Sequence, residues 1–254
     1  MFEKGINNSE KIKDKFEQGE LESVIFDLDS TLVDTGKYYR EWMKGSTRAF
    51  LEESGIEYEE TDIHQIYMYG VQIHRDAGQP LLITSYVIGG IIQYLKERGR
   101  EDIEKVTPYI EQYLSEFYKN SPEIEDGTLE VLYELKQKGI IFGIYSHAQQ
   151  DWTEIKIRKI QLEYFDRYHE EIEIPFFTTP IDMKKDCQGW IDASNFFGFN
   201  LEKTLVVGDS MNSDIEPAKE AGCTNLVHIS INEQYSNDKM VTGIKGIKQL
   251  LEHL

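Results

Sequence analysis

Four short apolar runs in this chain each meet a polar turn or a helix-like segment, and that rhythm restricts the fold more than any other feature of the sequence. Val24, Ile25, Phe26 and Leu28 form the first run, within Glu22 to Leu28, and it carries Asp27 and Asp29 at its end. A short run rich in β-branched residues, without polar alternation, describes a strand covered on both faces. The second is Ile140 to Tyr145, with Ser146 directly after it. It is entered from a segment with Leu129, Leu132 and Leu135 at helical spacing and Gly139 as its stop. Thr204 to Val207 runs into Gly208-Asp209, a helix from about Asp214 to Ala221 closes on Gly222, and Asn225 to Ile229 is the fourth run. Strand, polar turn and helix in alternation build a parallel sheet with helices on both faces, and such sheets hold ligands beyond the carboxyl ends of their strands. Asp27, Ser146 and Asp209 occupy those ends, so side chains more than 180 residues apart converge on one crevice.

Between Lys37 and Ser121 the texture changes to helical stretches. Tyr39 to Leu51, Ile63 to Ile73, Leu81 to Leu95 and Ile103 to Tyr118 carry apolar residues at helical spacing, broken by Gly55, Gly78-Gln-Pro80 and Gly99. The expected organisation is an α/β core, Rossmann-like, from residues 1–36 and 121–254, with an all-helical insert at 37–120. Ala77 to Leu95 is nineteen residues without a charge, long enough to be weighed as a membrane span. Gln79, Pro80, Thr84, Ser85, Gln93 and the Gly89-Gly90 pair dilute it, and no second hydrophobic span accompanies it, so a buried helix is expected. Asp166 to Asp186, with Pro175 and Pro180, reads as an irregular connection with room for one strand.

The chain has 254 residues, with 27 Lys plus Arg against 46 Asp plus Glu, a formal charge of −19. That balance argues against wrapping a nucleic acid or lying on an anionic membrane, since either needs a positive field. At 40% hydrophobic residues the chain has enough apolar material for a real core. Cys187 and Cys223 form no CxxC pair and no zinc-spaced cluster, which fits a reducing cytoplasm. Met1 to Leu21 is charged throughout and lacks the apolar segment of an export signal.

Asp27-Leu-Asp29-Ser-Thr31-Leu-Val-Asp34 places two carboxylates two apart at a strand end. Crowded carboxylates repel unless a proton or a cation lies between them. A hard divalent ion resolves the conflict, and magnesium takes one or two carboxylates while leaving room for water and phosphate. Gly208-Asp209-Ser-Met-Asn-Ser-Asp214 repeats the pattern with two more acids. Asp214 alone also suits a helix cap, a role for which Ser213 competes.

Four segments, taken in order, resemble the motifs of the haloacid dehalogenase superfamily. They are Asp27-Leu-Asp29-Ser-Thr31, Ser146 after an apolar strand, a lysine within Met183-Lys184-Lys185-Asp186, and Gly208-Asp209-Ser-Met-Asn-Ser-Asp214. Asp126-Gly127, Glu163-Tyr-Phe-Asp166 and Pro217-Ala-Lys-Glu-Ala-Gly222 extend the likeness, which is to the phosphatase branch. The helical insert stands where that superfamily carries a mobile cap.

The resemblance implies magnesium-dependent hydrolysis of a small phosphate monoester, with Asp27 as the nucleophile that forms an aspartyl-phosphate. Asp29 is implied as general acid and then base, with its main-chain carbonyl on the metal. Asp27, Asp29, Asp209 and Asp214 are thus the expected magnesium residues. Ser146, a lysine and His147 are the expected phosphate contacts. The lysine is placed at Lys184, because counting forward then sets Trp190 where the family commonly has an aromatic residue at the next helix start; Lys185 reads as a surface charge. Ser30 replaces a common glycine, and His147 stands where asparagine is usual. His64 and His74 lack carboxylate partners at ligand spacing and read as surface or packing residues. The implied partner is a small phosphorylated metabolite, with no nucleic acid and no membrane, acting on a monomer or a homodimer. A sugar phosphomutase and a binding module that kept the fold are the competing readings; the binding module has no need for Asp29.

Overall fold

The computed structural model describes residues 8–77, 83–100, 102–180, 183–230, 238 and 240–254. The chain divides into two compact units, Met1–Asp34 with Glu123–Leu254, and Thr35–Pro122. The second unit is two residues wider at each end than the 37–120 expected from sequence.

The first unit is an α/β core. In chain order it contains α1 (Asn8–Glu17) and β1 (Ser23–Phe26). After the insert, whose helices are α2 (Thr35–Glu53), α3 (Glu60–Ala77), α4 (Ile83–Glu97) and α5 (Val106–Phe117), the core resumes. It continues with α6 (Thr128–Gln137), β2 (Ile141–Ser146), α7 (Gln150–Tyr168), β3 (Phe176–Thr178) and α8 (Cys187–Phe197). β4 (Thr204–Gly208), α9 (Glu216–Glu220), β5 (Asn225–Ile229) and β6 (Val241–Ile244) complete it. The six strands pair in parallel in the order β3-β2-β1-β4-β5-β6.

β1 explains why an unbroken apolar run was required. Its residues alternate between two cores, one on each face of the sheet. Val24 and Phe26 pack with Leu132 and Leu135 of α6 and Ile157 and Ile160 of α7. Ile25 points the other way, into Tyr145, Trp190 and Ala193 of the α8 side. The chain proceeds from β1 outward through β2 and β3, then returns to place β4 on the opposite side of β1. β1 and β4 therefore flank the topological switch point, where loops leave in opposite directions and open a crevice.

Three elements depart from the sequence reading. Ser146 is the last residue of β2 rather than the first beyond it. β6 was not anticipated, because Val241-Thr-Gly-Ile is short and interrupted by glycine. The helix expected over Asp214 to Ala221 is preceded by a wider π-type turn, Met211–Ile215, and α9 itself spans only Glu216–Glu220.

The helical unit is built around close backbone approach. A Cβ on Gly90 would lie 2.4 Å from the Ile66 carbonyl oxygen, and one on Gly70 would lie 2.7 Å from that of Tyr86. These glycines let α3 and α4 touch backbone to backbone. Of the Ala77 to Leu95 segment, residues 78–82 lie outside the described residues; beyond them α4 buries Val87, Ile91, Tyr94 and Leu95. Among the described residues no helix is long and apolar enough to cross a membrane. His64 is exposed; the His74 side chain lies outside what is described.

Candidate active site

The Asp27 amide extends the ladder of β1 by donating to the Val207 carbonyl at 2.8 Å. The chain then turns at once, with the Leu32 amide on Leu28 oxygen at 2.9 Å and the Ser30 amide on Val33 oxygen at 2.8 Å. Ser30 holds φ at +61°, in the left-handed region that favours glycine, which is the residue the family commonly has here. This tight loop brings both carboxylates of the Asp27-Leu-Asp29 triplet to the carboxyl end of the sheet.

The β4 end contributes Asp209 and Asp214. Gly208 is required there, since a Cβ would lie 2.5 Å from the Asp214 carboxylate. The Asp214 side chain lies across that glycine and accepts from the Ser210 amide at 3.0 Å through Oδ2. Pro217, four residues on, has no amide hydrogen for the Ser213 carbonyl, and Trp190 Nε1 donates to that carbonyl at 3.0 Å. Opposite the wide turn, His228 Nε2 on β5 lies 3.1 Å from the Asp209 carbonyl oxygen.

Between these two strand ends sits Lys185. Its Nζ donates to Asp27 Oδ1 at 2.6 Å, Asp214 Oδ1 at 2.7 Å and the Tyr145 carbonyl at 2.8 Å. The Tyr145 and Trp190 rings wall it in, 4.7 and 5.1 Å from Nζ to their centroids. Lys184, the lysine chosen from sequence, is exposed. The correction has a local cause. Asp186 caps α8, accepting from the Gly189 amide at 3.1 Å, so Lys185 occupies the position just before the cap and Trp190 the fourth of the helix. Those two positions face one another at a helix start.

Asp29 is held by different partners. Its Oδ1 accepts from Lys156 Nζ at 2.5 Å, and its Oδ2 lies a long 3.4 Å from Ser146 Oγ. Lys156 lies on α7, fully buried, with Nζ 3.3 Å from the centroid of Trp152 one turn earlier. No motif signalled it, because a lysine inside a charged helical stretch reads as surface. Next to Ser146, His147 is partly buried, and its Nε2 is buried with no hydrogen-bond partner among the described residues.

One carboxylate oxygen from each of Asp27, Asp209 and Asp214 lies within 4.8 Å of the others. Burial first, then the charge of Asp214, pushes Asp27 well above the usual carboxylate range, with Lys185 opposing. The same two causes raise Asp209 to about 7. Burial works against the charge of Lys185, but Asp214 and Asp27 outweigh it and raise its pKa. Once ionised, three carboxylates against one ammonium leave two negative charges uncompensated, and oxygen ligands in this number suit a hard divalent cation such as magnesium. The Asp29 carboxylate is outside that cluster and is paired with Lys156 instead.

A doubly wound parallel sheet with four acids and two buried lysines gathered at its switch point defines an α/β enzyme with an acid-rich ligand site. Residues 21–222 match the model of the haloacid dehalogenase-like hydrolases, and the chain belongs to that family. It is 28% identical over 216 residues to a phosphorylated carbohydrates phosphatase of Thermotoga maritima, covering 84% of this chain and 88% of that protein. A haloacid dehalogenase-like hydrolase of Xanthomonas campestris shares the fold with a TM-score of 0.62 at 14% identity, over 90% of this chain and 92% of that one. A 2-haloacid dehalogenase of Pseudomonas syringae does so with a TM-score of 0.55 at 16% identity, over 92% and 97%. Likeness to both a phosphatase and a dehalogenase means that reaction type must be read from the site.

Proposed function

We propose that this chain is a magnesium-dependent phosphatase that hydrolyses small phosphorylated carbohydrates through an aspartyl-phosphate on Asp27. The observation that carries this reading is Lys185, whose ammonium joins the Asp27 nucleophile to Asp214 at 2.6 and 2.7 Å inside the carboxylate cluster. An ammonium so placed balances both the attacking carboxylate and a bound phosphoryl group. Magnesium would be held by the carboxylates of Asp27 and Asp209 and the Asp29 carbonyl, with Asp214 supporting it. When bound, the ion supplies the positive charge that offsets a phosphate dianion beside these acids.

Asp27 attacks phosphorus while the bond from phosphorus to the sugar oxygen breaks. Asp29, protonated at this stage, gives its proton to that departing oxygen. Asp29, now a carboxylate, then takes a proton from the water that attacks the phosphoaspartate, releasing inorganic phosphate and free Asp27. Ser146, Lys185 and His147 bind the phosphoryl oxygens. A carbon–halogen bond needs no such acid, because halide leaves without protonation, so Asp29 favours phosphoryl chemistry. The helical unit is inserted between Asp34 and Glu123, directly after the nucleophile loop. The carbohydrate class rests on the name of the Thermotoga maritima relative.

The test is phosphate release from a panel of sugar phosphates with magnesium and then with EDTA. Asp27→Asn is expected to lower turnover by at least about a thousandfold with the fold retained, and EDTA to abolish it. Undiminished turnover in Asp27→Asn removes the mechanism. Interconversion of sugar phosphate isomers without phosphate release reassigns the chain as a phosphomutase.

A further inference from the structure

Lys156 has no role in the chemistry above, yet it is among the most deeply buried charges in the core. A buried ammonium is costly to desolvate, and apolar side chains of similar volume usually pack as well or better. Its neighbours in α7, Thr153, Ile157 and Ile160, are buried without needing a cation. The ammonium reaches over Trp152 to one oxygen of Asp29, in a salt bridge of 2.5 Å in which Lys156 is fully covered and Asp29 is 28% exposed. The other oxygen of Asp29 is thereby left on the side of Ser146. Asp29 itself comes from a loop, and its carboxyl group rotates about two side-chain bonds unless something fixes it.

We propose that Lys156 is a positioning residue for Asp29: it clamps Oδ1 so that Oδ2 is the oxygen presented beside Ser146 for proton transfer. This rests on the reading of Asp29 as general acid and base. The clamp acts through a helix that starts four residues after the phosphate-binding serine, so Ser146 and the Asp29 orientation are set by one rigid β2–α7 unit. Proton transfer demands placement to within about an ångström, and a loss of that placement costs on the order of a hundredfold in rate.

Lys156→Met keeps the stem over Trp152 and removes only the charge and its donors. In the full-length protein, a crystal structure of this variant is expected to show the Asp29 carboxyl turned from its wild-type orientation. Against an alkyl phosphate with magnesium, kcat is expected to fall at least tenfold with KM within about threefold. Lys156→Arg is expected to recover part of the loss. In an Asp29→Asn background, Lys156→Met is expected to cost less than about twofold further, because both substitutions remove the same function.

An unchanged Asp29 orientation, an unchanged kcat, or losses that multiply in the double variant would each overturn the clamp. If Lys156→Met does not fold, Lys156→Gln is read by the same criteria. Absence of phosphate release by the wild-type protein would instead sink the phosphatase reading, and the Asp29 orientation in the variant crystal would still decide for or against the clamp.

Discussion

Lys184 and Lys185 have the same chemistry and adjacent positions, and the start of α8 separates their fates. The cap at Asp186 sends the preceding side chain inward across Trp190, leaving Lys184 in solvent. Lys184→Met is therefore expected to keep kcat/KM within about twofold, whereas Lys185→Met is expected to lower it by at least about a hundredfold. The second substitution also strands Asp27 and Asp214 without their shared counter-charge, at a cost of about 3–5 kcal/mol to the metal-free protein. Steady-state kinetics and chemical denaturation of both variants check this pair; equal losses would refute the assignment. Ser30 shows the opposite kind of residue effect. Its positive φ is written into the loop by hydrogen bonds around it, and the sequence marked the position only as a departure from the usual glycine.

At the scale of elements, helix packing turns glycine from a weakness into a requirement. Gly89-Gly90 reads in the sequence as a dilution of an apolar stretch, yet Gly90 lies where α4 meets the α3 backbone. Gly90→Ala is expected to destabilise the full-length protein by about 1–3 kcal/mol, because Ile66 is met at its carbonyl and backbone yields little. Gly45 is a control within α2: nothing lies within 4 Å of its added Cβ, so Gly45→Ala is expected to gain about 0.5–1 kcal/mol of helix propensity. Denaturant midpoints measure both, and a destabilised Gly45→Ala or a neutral Gly90→Ala would contradict the packing. Strands were easier to foresee than helices' partners. β1, β2, β4 and β5 announce themselves by apolar runs, whereas β3 and β6 are three and four residues long and gain strand character only from the neighbours they pair with.

For the molecule as a whole, the formal charge is −19, and folding brings three of its carboxylates, Asp27, Asp209 and Asp214, within 4.8 Å of one another. Asp209 takes up a proton on folding in the window between 3.8 and about 7, so its contribution to stability is full below that window and is lost as pH rises through it. A divalent ion bound by these acids would compete with that proton and take over the neutralising role once they are ionised. Magnesium at a concentration about a hundredfold above its pH 8 dissociation constant is thus expected to raise the melting temperature by about 5 °C or more near pH 8, and by much less at that same concentration near pH 5. Thermal unfolding with magnesium and with EDTA at the two pH values tests this; equal shifts would refute it. The four apolar runs that became β1, β2, β4 and β5, the acids at strand ends and the helical texture after Lys37 were legible in the linear chain, since hydrophobic period and turn chemistry act over a few residues. Which lysine faces Asp27, that Lys156 reaches Asp29, and why Gly208 and Gly90 are glycines were decided by the tertiary structure alone. The two lysine contacts and Gly90 each depend on segments far apart in the chain occupying the same few ångströms, and Gly208 on the wide turn that folds Asp214 back across it, so no local pattern encodes that proximity.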